Sequence, residues 1–100
     1  MKITKKQEGT TLVLALEDSL DTNTAPELEA ELKVSLDESI KELIFDLKDL
    51  KYISSAGLRV LFAAHKTMSK QEGIMKVRGI SEEIMGIFDM TGFGQVFTIE

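Results

Sequence analysis

Apolar side chains alternate at Leu12, Leu14 and Leu16, and this period of two predicts a strand over Thr11–Leu16. Ahead of it, Lys2-Ile3-Thr4-Lys5-Lys6 reads as a weaker strand. Glu8-Gly9-Thr10 joins the two as a hairpin, with Gly9 supplying the positive φ of a tight turn. Leu28, Leu32 and Leu36 then recur one helical turn apart and predict a helix over 24–38. Asp21-Thr22-Asn23-Thr24 offers its N-cap candidates, Pro26 suits its first turn, and Glu27, Glu29 and Glu31 lie where the helix dipole favours acid. Glu42–Leu47 carries a nearly continuous apolar run, as strands covered on both faces do, and Tyr52-Ile53 extends toward Ser54. Leu58, Leu61, Phe62, His65 and Met68 share one face of a helix predicted over 55–71, which Gly73 stops. Ile74–Val77 reads as another strand. Ser81 caps a third helix with Ile84, Ile87 and Phe88 on one face; it ends near Met90, with Gly92 in the left-handed position, and Val96–Ile99 closes as a short strand.

The order β-β-α-β-α-β-α-β predicts an α/β fold: a mostly parallel sheet of four to five strands with an antiparallel edge strand and three to four helices. Three helices are too few to shield both faces, so one covered face is expected. The length of 100 residues suits a single domain over 1–100.

Composition narrows the function more than the fold. With 43% hydrophobic and 29% charged residues the chain is globular in character, and its net charge of −5 disfavours nucleic acid or an anionic membrane as partner. No apolar run approaches a membrane span, and polar Gln7-Glu8-Gly9-Thr10 follows the N-terminal lysines where a signal peptide would be apolar. A cytoplasmic protein without membrane insertion is expected. Absence of Cys removes thiolate nucleophiles and thiolate metal sites, and a lone His cannot build a His-rich centre. No phosphate loop or dinucleotide fingerprint occurs, and Gly92-Phe93-Gly94 follows a helix, so it reads as a turn. His65 lies on an apolar stripe and reads as a core or rim residue; Asp46/Asp49 and Glu82/Glu83 read as capping or solvated carboxylates. The expectation is a non-enzymatic chain with no cofactor and no metal. Phe93 and Phe97, expected to be exposed near the C-terminus, suit either core or contact, and a monomer or weak dimer fits both.

The informative stretch is Leu50-Lys51-Tyr52-Ile53-Ser54-Ser55-Ala56-Gly57-Leu58-Arg59, where a strand runs straight into a helix opening on Ser-Ser-Ala-Gly. One hydroxyl suffices to cap the helix, and the other projects at its mouth. Gly57 in the first turn costs about 1 kcal/mol of helix propensity, which implies a close approach to the backbone there. Two capping serines or one cap and one functional hydroxyl both satisfy the pattern.

Ile53-Ser54-Ser55-Ala56-Gly57-Leu58, together with Leu20-Asp21-Thr22-Asn23-Thr24-Ala25 and Ile87-Phe88-Asp89-Met90-Thr91-Gly92-Phe93, resembles the signature segments of STAS domains, the sulphate-transporter and anti-sigma-factor-antagonist modules. With no transporter appended, the chain looks like a stand-alone bacterial anti-sigma factor antagonist. That resemblance implies a partner-switching regulator of sigma-factor-dependent transcription. Unphosphorylated, it would bind an anti-sigma factor that is a serine kinase; phosphorylation would release it, and a serine phosphatase would reset it. By alignment the acceptor is Ser55, less favourably Ser54, and Asp21 matches the family's acidic residue beside the acceptor. The implied partner surface comprises Asp21, Thr22, Asn23, Ser54, Ser55, Gly57, Leu58 and Arg59. The chain departs from the pattern at Ser54, where an Asp is usual, and at Arg59 and Asp18, where Gly is common. The Ser54 departure supports an alternative, a STAS scaffold subunit of a transporter-associated or sensory complex that is never phosphorylated.

Overall fold

The computed structural model describes residues 1–100. Strands β1 (Lys2–Glu8), β2 (Thr11–Leu20), β3 (Glu42–Ile53), β4 (Ile74–Arg78) and β5 (Thr98–Ile99) form one sheet in the order β1-β2-β3-β4-β5. Only the β1/β2 hairpin is antiparallel; the other three pairings are parallel. Helices α1 (Ala25–Ser35), α2 (Ser55–Lys70) and α3 (Glu82–Thr91) make the crossovers.

Because the spatial order follows the chain order, every crossover steps in the same direction. Right-handed crossovers without a reversal place all helices on one side. Burial follows this geometry: Leu12, Leu14 and Leu16 on β2, Leu43, Phe45 and Leu47 on β3, and Met75 and Val77 on β4 are buried. They join Leu28, Leu32, Leu58, Leu61, Met68, Ile84 and Phe88 from the helices in one core of 23 buried residues. The opposite face is lined by Thr11, Val13 and Ala15, by Glu42 and Asp46, and by Lys76 and Arg78, all half-buried. Ion pairs run across it, Lys76 to Glu42 at 2.9 Å and to Glu100 at 3.7 Å, and Arg78 to Asp46 at 3.8 Å.

Several element boundaries differ from those the pattern predicts. Helix α1 stops at Ser35; just beyond it the Asp37 carboxylate reaches forward to accept from the backbone N–H of Ser39 at 2.9 Å and from its hydroxyl, a local turn that competes with the helix. β2 continues past Leu16 to Leu20, and β3 runs unbroken from Glu42 to Ile53. Register shifts between Ala15 and Glu17 and between Asp18 and Ser19 break the period of two that would reveal these extensions. β5 is only two residues long, since the turn Phe93–Gln95 holds the amides of Val96 and Phe97 on the Phe93 carbonyl. Gly9 and Gly92 take positive φ as expected, but at the end of α2 the left-handed residue is Glu72, at φ 57°, not Gly73. Gly73 is required for space: a Cβ there would lie 2.7 Å from the Lys41 carbonyl oxygen.

Phe97 is buried and Phe93 half-buried, which corrects the expectation that both are exposed. Phe97 stacks on Phe93 at 5.3 Å and meets Phe88 edge-on at 5.6 Å, so both rings belong to packing between α2, α3 and the C-terminus. His65 lies half-buried between Phe62 at 6.2 Å and Phe97 at 6.1 Å.

Candidate functional site

The final β2–β3 pair, Leu20 with Ile53, builds the site. Immediately after it the Leu20 carbonyl accepts from the Ser54 amide at 2.9 Å, so Asp21–Thr24 and Ser54–Ser55 leave the sheet side by side. Asp18, at φ 70°, lies within the irregular register just before this point.

Asp21–Thr24 is wired to itself. The Asp21 carboxylate accepts from the amides of Asn23 at 2.9 Å and Thr24 at 3.1 Å. The Thr24 hydroxyl donates to the Ser19 carbonyl at 2.8 Å and accepts from the Asp21 amide at 2.9 Å. Thr24 occupies the N-cap of α1, yet its side chain caps nothing. Thr22 and Asn23 are thereby left exposed on a turn whose backbone is held in place.

The two serines have different surroundings. Ser54 is the N-cap of α2; its half-buried hydroxyl oxygen accepts from the Gly57 amide at 3.3 Å. Ser55, the first helical residue, is exposed, and its hydroxyl makes no hydrogen bond within the protein. Gly57 is buried against the end of β2: a Cβ there would lie 2.7 Å from Leu20 Cγ and 2.8 Å from its carbonyl oxygen. The close approach inferred from this glycine is therefore internal packing. Leu58 is 2% exposed. Of the residues expected at a partner surface, Gly57 and Leu58 support it from beneath, whereas Thr22, Asn23, Ser55 and Arg59 are exposed and Asp21 and Ser54 half-buried. Arg59 faces a shallow recess between the starts of α1 and α2, shared with Thr22, Pro26, Glu29 and Ala56.

Thr22 and Pro26 meet Ala56 and Arg59 at this recess through the β2–β3 ending, which joins segments more than thirty residues apart in the chain. No group of three or more His, Asp or Glu side chains is placed to hold a metal ion. The strand order never reverses, so the sheet has no switch-point crevice of the kind in which open α/β sheets bind small ligands. No helix is long and apolar enough to cross a membrane. What the geometry offers is a firmly seated surface on which Ser55, of the two serines, carries the free hydroxyl.

A family model described as STAS domain matches residues 2–100. The Bordetella bronchiseptica protein BtrV is 30% identical over 99 residues, covering 99% of this chain and 85% of that one. The anti-sigma-B factor antagonist of Bacillus subtilis is 33% identical over 94 residues, covering 94% of this chain and 85% of its own. Among solved structures, the anti-sigma factor antagonist SpoIIAA in its unphosphorylated form superposes with a TM-score of 0.79 at 15% identity, over 99% of this chain and 87% of the other. An anti-sigma factor antagonist from Mycobacterium paratuberculosis gives 0.86 at 22% identity, over 98% and 83%.

Proposed function

The chain belongs to the STAS domain family, and from that membership we propose that it is an anti-sigma factor antagonist, a regulatory binding module switched by phosphorylation of Ser55. In its unphosphorylated form it binds an anti-sigma factor serine kinase through Asp21–Asn23 and the start of α2. The kinase transfers the γ-phosphoryl group of ATP to the Ser55 hydroxyl: the Ser55 oxygen–phosphorus bond forms, ADP leaves and the hydroxyl proton is released. The phosphoprotein dissociates, and a serine phosphatase hydrolyses the ester to restore the hydroxyl. The relative named anti-sigma-B factor antagonist supports the partner class.

The observation that carries the choice of Ser55 is the division of labour between the serines. Ser54 is engaged with the Gly57 amide, and modifying it would cost the cap of α2; Ser55 is exposed and free.

The size of the effect suits a switch. Taking a complex from mostly bound to mostly free requires about 5.5 kcal/mol of differential affinity. A like charge at 4 Å costs about 4 kcal/mol at an effective dielectric near 20, and phosphate brings nearly two charges as well as a desolvation cost. One modification therefore reaches the required magnitude without refolding the domain.

The test is phosphosite mass spectrometry after incubation with ATP and anti-sigma kinases, coupled to binding by Ser55→Asp and Ser55→Ala. Phosphate on Ser55, retained binding by Ser55→Ala and at least a hundredfold weaker binding by Ser55→Asp are expected. Binding by Ser55→Asp equal to wild type would overturn the switch. The neutral Ser54 beside the acceptor favours a second reading, a constitutive scaffold, for which no kinase would modify either serine and both variants would bind alike.

A further inference from the structure

Arg59 stands one turn beyond Ser55 on α2, so the two side chains rise from the same strip of helix surface at i and i+4. Both are exposed, while Leu58 and Val60 on either side of Arg59 are buried and hold that strip in place. The ion pairs of the molecule use Lys6, Lys76 and Arg78, and Arg59 takes part in none of them. The one acidic residue that shares the recess, Glu29, is not within ion-pairing distance. The first turn of α2 carries no acidic residue that would compete for the guanidinium.

We propose that Arg59 is the intramolecular counter-ion of a phosphate on Ser55; this rests on the assignment of Ser55 as acceptor. A guanidinium presents paired donors in a planar fork that matches two phosphate oxygens, and a partner one helical turn away is within its reach. Phosphorylation then changes the surface twice. It adds negative charge at Ser55, and it draws Arg59 out of the set of groups available to an acidic patch on a binding partner. The free form presents a hydroxyl beside an unpaired cation; the modified form presents a phosphate already satisfied on one side.

The experiment installs phosphoserine at position 55 by genetic encoding, which needs no kinase, in wild type, Arg59→Gln and Arg59→Lys. The second ionisation of the phosphate is followed by phosphorus NMR at low salt. Its ordinary value is about 6; a cation beside it favours the dianion and lowers that value. An i,i+4 ion pair of about 0.3–0.5 kcal/mol corresponds to a shift of about 0.3 pH unit, so the ionisation in Arg59→Gln should lie about that far above wild type. Arg59→Lys should fall between them, and the difference should shrink in high salt. Equal values in wild type and Arg59→Gln would overturn the pairing and leave Ser55 as acceptor intact. Failure of every kinase to modify Ser55 would sink the acceptor assignment instead, without touching this measurement.

Discussion

At the residue scale, the first turn of α2 is governed by what each position is permitted to be. Gly57 is the strictest case, because the end of β2 occupies the volume a side chain would need. Gly57→Ala gains helix propensity of about 1 kcal/mol but drives a methyl into Leu20, and overpacking of this kind typically costs about 1–3 kcal/mol. The Leu20 carbonyl oxygen is backbone that also holds the Ser54 amide, so it cannot simply move aside. A net loss of up to about 2 kcal/mol is expected in urea denaturation, accompanied by weaker partner binding because Ser54 and Ser55 shift with the strand end. A variant as stable as wild type would show that Leu20 yields easily.

At the element scale, the C-terminal segment is held by rings more than by strand pairing. β5 pairs with β4 at only two positions, whereas Phe97 contacts Phe88, Phe93 and His65. Phe97→Ala should therefore cost about 3 kcal/mol, in the range for a buried aromatic, and expose the last residues to exchange. Amide exchange at Ser54–Leu58 should change much less, since the β2–β3 ending, with β3 two strands away from β5, anchors that turn. Equal loss of protection at both places would mean that the whole chain opens as one unit.

At the scale of the molecule, the helix-free face is tied across its strands by charge. The hydrogen bond from Lys76 holds the Glu42 carboxyl below its ordinary 4.5, with a second bond from the Thr11 hydroxyl adding to the effect. The same contact raises the Lys76 ammonium above its ordinary 10.5. A lowered carboxyl stabilises the fold above its unfolded value and loses that contribution as pH falls through the folded one; a raised ammonium does so below its unfolded value and loses it as pH rises. The pair thus contributes between these limits. The urea midpoint of wild type should exceed that of Lys76→Gln between about pH 6 and 9, and the gap should close as pH falls below 4.5. A gap independent of pH would show that Lys76 acts through packing. The side chains are 31% and 28% exposed, so the gap should also narrow in salt.

Periodicity determined the elements and most of each helix's apolar stripe, because a buried face imposes its period directly on the residues that line it, though it placed Leu36 within α1 and left out Val60 and Ala64 on α2. The alternation of strands with helices then determined the antiparallel start and the parallel remainder. The serine pair at the start of α2 was legible for the same local reason: a cap and the turn it closes lie within a few residues. Non-local effects were not legible. The length of β2, the unbroken course of β3 and the burial of Phe97 arise from register shifts and from contacts between distant segments, and the meeting of Asp21–Thr24 with Ser54–Ser55 was implied only by the family resemblance, not by any spacing. Which of the two serines is free belongs to this second group. Either hydroxyl is chemically able to cap α2, and the choice fell to Ser54 because the Leu20 carbonyl, more than thirty residues earlier in the chain, fixes its amide and orients the turn.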